Sequence, residues 1–287
     1  MPILQTPMDA IRRRRRSPLP GLGLTLGVTV TFVTLIILLP LSGLAWQFAQ
    51  LGWSDYIFVM SDPRTLASLR VTITAALLAT IANGIFGLLL AWVLVRYRFP
   101  GRAALDALVD LPFALPTSVA GIALVAVYAQ DGWIGGLIEP LGWQIAYTWW
   151  GIVIAMTFTS VPFAVRAIQP LIEELDRREE DAATTLGASR WQTFRSITLP
   201  QLSPGILTGT GLSFVRSLGE FGAVIFIAGN LPYETEIASL LIVIRLDEFD
   251  YPAASAIAGT MLAISLIVLV VINILQTRLY RKLEGAA

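Results

Sequence analysis

The sequence predicts an all-α, polytopic membrane protein with about six transmembrane helices, on three observations. Hydrophobic residues make up 55% of the 287-residue chain and charged residues only 14%, against about 25% charged in soluble domains. The apolar residues gather into runs that reach the roughly 20 helical residues needed to cross a hydrocarbon core about 30 Å thick. The cationic residues are unevenly placed between those runs, which sets an orientation.

Taken in order, residues 1–23 form an arginine-rich tail, with Arg12 to Arg16 in one run before Pro18, Pro20 and Gly21. The apolar stretch from Leu24 to Trp46 imitates a secretory signal, with Ser42-Gly43-Leu44-Ala45 as a cleavage-like region. It exceeds the about 7–15 residues of a signal core and further spans follow, so it reads as a retained first helix. The later spans run roughly over Thr72–Val95, Leu111–Ala129, Trp149–Ile168, Pro204–Gly229 and Ser255–Gln276. Residues 24–276 are thus a transmembrane domain and 277–287 a C-terminal tail. With the N-terminus inside, fifteen of the twenty Lys and Arg fall on the inner side and only Arg64, Arg70 and Arg245 outside. That bias places both termini in the cytoplasm. The external loop from Gln130 to Thr148 has Asp131 and Glu139 but no positive charge. In the external segment from Leu231 to Pro252, Ile237, Leu240, Leu241 and Ile244 share one helical face, so a surface or partly re-entrant helix is expected there.

Several chemistries are excluded. Cysteine and histidine are absent, which removes disulfides, their nucleophile chemistry and the commonest zinc and haem ligand sets. No metal site is expected. The only lysine is Lys282, five residues from the end, so no Walker-type phosphate loop can be built. Any ATP must be bound by another chain.

The internal loop 169–203 is the most informative segment. An acidic, helix-forming stretch from Glu173 to Glu180 leads into Asp181-Ala182-Ala183, three residues, Gly187, nine residues, and Ile197-Thr198-Leu199-Pro200. The pattern reads as a helix, a glycine break, and a second short helix stopped by Pro200. Ala182 and Ala183 permit close approach of another backbone. Leu186, Trp191, Phe194 and Ile197 supply an apolar stripe, and Glu180 and Asp181 offer carboxylates to a cationic partner. The plainer reading is an amphipathic loop helix lying on the membrane.

Within the spans, Arg216 and Glu220 stand four residues apart on one helix face, where they can pair. Charges at membrane depth usually face a bundle interior or a pore, so the pair is either a structural tie or a gate for an anion. Thr117, Ser118 and Asn83, with Thr208 and Thr210, could hydrogen-bond an anion or simply their own backbone. Gly205 and Gly209 form a small-xxx-small pattern suited to close helix packing. Pro112, Pro116 and Pro162 are expected to kink their spans.

The loop pattern resembles the cytoplasmic signature of ABC import permeases: Glu-Ala-Ala, three residues, Gly, nine residues, Ile-x-Leu-Pro. The signature constrains seven positions over twenty residues, and every spacing matches, with Asp181 in place of the usual Glu. Leu111-Pro112-Phe113-Ala114-Leu115-Pro116-Thr117 and Ser217-Leu218-Gly219-Glu220-Phe221-Gly222-Ala223 are similar to the sulfate/molybdate importer permease family. Val224-Ile225-Phe226-Ile227-Ala228-Gly229-Asn230 and Glu248-Phe249-Asp250-Tyr251-Pro252-Ala253-Ala254-Ser255-Ala256 point to its sulfate/thiosulfate branch. The similarity covers roughly residues 25–280.

This resemblance implies a type I ABC importer permease in the bacterial inner membrane, a transport subunit without its own ATPase site. It implies that Glu180, Asp181, Ala182, Ala183, Leu186, Gly187, Trp191, Phe194, Ile197, Leu199 and Pro200 form the coupling helix region that docks on an ATPase. Its partners would be a second, CysW-like permease subunit, two CysA-like subunits that bind ATP and Mg, and a periplasmic sulfate-binding protein. The lipid bilayer is the remaining partner, and no nucleic acid is expected. A molybdate or tungstate permease is the alternative within the class. A secondary anion transporter would carry ion-coupling carboxylates in its helices and often an internal repeat. Here only Glu220 lies clearly within a span, and no repeat is visible.

Overall fold

A computed structural model describes residues 22–284. The expected arginine-rich run, Arg12 to Arg16, lies outside the described residues. The chain divides into two units, residues 1–49 and 50–287. In the first, α1 (Leu22–Val33) passes through a π-turn (Thr34–Leu38) into α2 (Leu39–Gln50). Its apolar side chains, Leu24, Phe32 and Leu39 among them, are exposed.

The second unit begins with α3 (Trp53–Ser61) and α4 (Pro63–Arg96), followed by α5 (Arg102–Ala114), α6 (Thr117–Tyr128) and the short α7 (Gly135–Ile138). Then come α8 (Trp149–Glu174), α9 (Arg177–Thr185), α10 (Arg190–Thr193), α11 (Leu199–Leu218), α12 (Val224–Ile227), α13 (Ala238–Asp247) and α14 (Tyr251–Glu284). The described residues contain no strand. Helix α4 starts where Asp62 caps it, its carboxylate accepting from Thr65 N, and Pro63 fills the first helical position. That entry suits proline, whose missing N–H would be unpaired there anyway.

Helices α4, α8 and α11 pack together at the centre; α14 lies on α11, α13 on α14, α5 on α8, and α12 on α6. Small residues permit the close approach. A Cβ on Gly87 of α4 would lie 2.7 Å from the Ala164 Cβ of α8, and one on Gly209 of α11 would lie 2.9 Å from the Ala164 Cα. Two helices therefore converge on one alanine, the packing expected where lipid supplies no hydrophobic drive between helices. The core has two apolar clusters. One holds Ala75, Ala79, Ile152, Met156, Leu218 and Ile257, and the other Ala91, Leu94, Val165, Ile168 and Leu202. On α4 and α8 the boundary between them falls at Asn83 and Ser160.

The expected span pattern needs correction. Among the described residues four helices are long and apolar enough to cross a membrane: Gly23–Gln50, Pro63–Arg96, Trp149–Glu174 and Tyr251–Leu279. The expected third span is not one helix. Chain direction turns by 117° between α5 and α6, which make a fifth span only if the bent pair is counted as one. Leu115 is extended and Pro116 is the N-cap of α6, because a residue before proline is driven out of the helical region. The expected fifth span is also broken. Helix α11 ends at Leu218, and residues 219–223 are non-helical before α12. The apolar runs continue through both breaks, so hydropathy alone merges the pieces.

Pro200 does not stop a helix, contrary to expectation. From Arg190 the chain runs through α10 and a π-turn (Phe194–Thr198) directly into α11. In the π-turn Leu199 N bonds Phe194 O, so the register shifts just before the proline. Pro204, inside α11, also lacks the N–H that would reach Pro200 O. The Ser203 hydroxyl donates to that carbonyl instead, at 2.7 Å. The freed backbone group is thereby satisfied.

Candidate functional site

The loop 169–203 folds as a capped helix pair. Asp176 caps α9 through Arg178 N. At the other end Ala188 N bonds Ala183 O and Gly187 N bonds Thr184 O, both at 3.0 Å. This is a Schellman closure, and its left-handed residue is Gly187, with φ 88°. Ser189 and Gln192 then form a capping box that starts α10. Two local signals, the Schellman closure and the capping box, therefore fix the turn between the helices.

The predicted contact residues separate into two sets. Leu186 is 89% and Trp191 66% exposed, and Asp181 and Ala182 are exposed beside them. Ala183, Phe194, Ile197, Leu199 and Pro200 are half-buried. Phe194 stacks on Trp191 with centroids 5.7 Å apart and meets Trp92 of α4 edge-on at 5.9 Å. Glu180 faces inward. Its Oε1 lies 2.6 Å from Arg96 Nη2 and also accepts from the Thr198 hydroxyl. The Arg96 guanidinium in turn sits 5.1 Å from the centroid of Trp92. This chain of contacts ties the loop to the end of α4, so the Glu180 carboxylate is engaged within the subunit.

Toward the middle of the bundle, Asn83, Ser160, Ser213 and Ser217 make a fully buried polar knot. The Asn83 amide donates to Ser160 Oγ at 2.7 Å and Ser213 Oγ at 2.9 Å, and Ser160 Oγ lies 3.1 Å from Ser217 Oγ. Asn83 thus links α4, α8 and α11, while its Oδ1 has no hydrogen-bond partner among the described residues. Next to this knot, Arg216 occupies the last turn of α11, where a cation suits the carbonyl end of the helix dipole. Arg216 Nη1 is 2.9 Å from Glu220 Oε2. Oε2 lacks an aligned hydrogen bond, so the contact is an ion pair set by charge and distance rather than a directed bond. Glu220 is 1% exposed, and its Oε1 accepts from Ala223 N at 3.0 Å.

The break after α11 docks on the start of α6. A Cβ on Gly222 would fall 2.0 Å from Thr117 Oγ1, and one on Gly121 would fall 2.5 Å from Ala223 O. The two interrupted helices therefore meet. The fold gathers Thr117, Ser118, Arg216 and Glu220 around residues 216–223, with Asn83 joined through Ser160 and Ser217. Thr208 and Thr210 bond carbonyls of their own helix.

A second charged cluster escapes a reading of the sequence. Arg166 of α8 makes a two-pronged contact with Asp110 of α5 at 2.6 and 2.9 Å and reaches Asp106 at 2.7 Å. The signal was present, as a lone arginine in an apolar span and two aspartates four residues apart. Their partnership crosses 56 residues, which local spacing cannot reveal. Among the described residues no group of three or more His, Cys, Asp or Glu is arranged to hold a metal ion.

A family profile described as binding-protein-dependent transport system inner membrane component matches residues 83–285. The sulfate transport system permease protein CysT of Escherichia coli (strain K12) is 54% identical over 278 residues, 97% of this chain and 100% of that protein. The protein of that name in Synechocystis is 46% identical over 87% of each chain. Among solved structures, a bacterial ABC transporter involved in import of the acidic polysaccharide alginate aligns at TM-score 0.70 and 21% identity, covering 90% of this chain and 95% of that one. The alginate transporter in complex with a pentasaccharide-bound periplasmic protein aligns at TM-score 0.73, also at 21% identity, covering 90% and 94%.

Proposed function

The chain belongs to the family of binding-protein-dependent transport system inner membrane components, and from that membership we propose how its parts are used. It is the permease subunit of an ABC sulfate importer, a membrane component and not an ATPase. In our reading it works in the bacterial inner membrane beside a second, CysW-like permease subunit. Two CysA-like subunits bind ATP and Mg, and a periplasmic protein delivers sulfate. Thiosulfate, a tetrahedral anion of the same charge, is the second substrate. The loop with α9 and α10 faces the cytoplasm, as the arginine bias requires.

The observation that carries the coupling role is the exposure of Leu186 and Trp191 on a turn closed by the Schellman motif at Gly187 and the capping box at Ser189. Large apolar side chains held rigidly at a polar tip are the arrangement of a docking surface. Asp181 adds an exposed carboxylate at the same tip, while Glu180 works within the subunit by tying the tip to α4.

The meeting of the two helix breaks is the proposed constriction. Discontinuous helices commonly build substrate sites in transporters. Arg216 supplies positive charge there, and Glu220 tempers it so that a dianion is passed rather than trapped. Reconstitution of the complex with its ATPase tests the docking role. Replacing Leu186 and Trp191 together by Ala should weaken ATPase association at least about tenfold, since each buried side chain contributes about 1.5–3 kcal/mol. Wild-type association in that variant would remove the loop from the interface.

A further inference from the structure

We propose that Arg70 is the receiving cation for the sulfate dianion at the end of the subunit opposite the coupling loop. The proposal rests on the importer reading above and names where the anion first meets this chain. Of the three arginines that the sequence places outside, two are engaged with carboxylates. Arg64 grips Glu236 through two bonds of 2.7 and 2.8 Å. Arg245 bonds Glu248 at 3.1 Å and stands 3.6 Å from Asp62. Arg70 makes no ion pair among the described residues and is exposed. It lies on α4, whose other end carries Arg96 and its contact with Glu180. Twenty-six residues separate the two arginines, about 39 Å along the helix.

Arg70 lines a cleft of about 440 Å³ with Thr74, Trp149, Tyr233 and Glu234. The Thr74 hydroxyl donates to the Arg70 carbonyl at 2.7 Å, which holds the helix rather than serving a ligand. Neither the Trp149 indole N–H nor the Tyr233 hydroxyl has an acceptor among the described residues, so both can donate. One guanidinium and two neutral donors suit a tetrahedral dianion with oxygens on several sides. Tyr233 is held at φ 69°, an unusual conformation for a bulky residue. The turn that imposes it is anchored to α4. Thr235 N and Glu236 N both bond Leu231 O, Glu236 is gripped by Arg64, and Ala238 N bonds the Thr72 hydroxyl at 2.8 Å. Glu234 also lines the cleft and tempers the attraction of the unpaired Arg70, so the anion meets a weak site that does not retain it.

The test uses the full complex with its binding protein in proteoliposomes, reading sulfate uptake and ATP hydrolysis together. Arg70→Gln should lower sulfate moved per ATP by about tenfold or more, the loss expected from one charge-assisted contact. Stimulation of the ATPase by the loaded binding protein should remain at the wild-type level, and Arg70→Lys should recover most of the uptake. Unchanged uptake per ATP in Arg70→Gln would overturn the proposal. A parallel loss of binding-protein stimulation would overturn it too, making Arg70 a docking residue for that protein. A wild-type complex that moves no sulfate would bring down the importer reading itself, and the two failures are therefore distinct.

Discussion

Glu220 and Arg216 are unequal partners, and the inequality fixes the sign of their substitutions. The carboxylate is 1% exposed and the guanidinium side chain 32%. Arg216→Gln strands a buried charge and should cost about 3 kcal/mol or more. Glu220→Gln leaves a cation that water can reach and keeps an acceptor for Ala223 N, so it should cost only about 1–2 kcal/mol. Thermal unfolding of the purified complex would compare them, with the double substitution recovering part of the Arg216→Gln loss. Equal costs would show that burial does not set the energetics of this pair. Gly187 poses a different problem. Nothing lies within 4 Å of a Cβ built there, so Gly187→Ala should cost only the left-handed backbone term, about 1 kcal/mol. Gly187→Val should cost more and tilt Leu186 and Trp191, seen as reduced co-purification of the ATPase. The break at Gly187 was legible in the sequence because helix endings are written locally. The internal use of Glu180 was not, because Arg96 lies 84 residues away.

Helix α11 shows what hydropathy can and cannot reveal about an element. Its existence was plain from the sequence, but its end was not, since apolar residues continue past Gly219. The break depends on docking, and two glycines test that dependence. A Cβ on Gly219 meets only Arg216 O at 3.9 Å, whereas one on Gly222 strikes Thr117 Oγ1 at 2.0 Å and its Cβ at 2.9 Å. Gly219→Ala should be tolerated. Gly222→Ala should force the break away from α6, destabilising the complex by about 1–3 kcal/mol and reducing uptake. Comparable melting temperatures and transport rates for the two variants would mean that the breaks do not pack as described. The polar knot was illegible for a related reason. Asn83, Ser160, Ser213 and Ser217 are unremarkable singly, and only the packing of three helices makes them one cluster.

At the scale of the whole molecule, the all-helical membrane architecture could be read from composition, because a bilayer demands long apolar helices, whereas the breaks within two of the expected spans could not. The same reading carries a prediction about energy supply. The purified subunit should neither bind nor hydrolyse ATP, and nucleotide-binding and phosphate-release assays on the isolated chain would check it. Hydrolysis by this chain, free of contaminating ATPase, would contradict its place in the family. In the coupling role proposed above the work arrives through the loop, and the unbroken run from Arg190 to Leu218 gives it a mechanical route. Helix α11 has 20 residues, a strut about 30 Å long. The π-turn and the two prolines at its base form the softest stretch of that strut, and the far end stops beside Arg216 and the docked break. A swing of about 10° at the base would sweep the far end by about 5 Å, about the diameter of a sulfate ion, so a small stroke at the surface becomes an opening of the right size at depth.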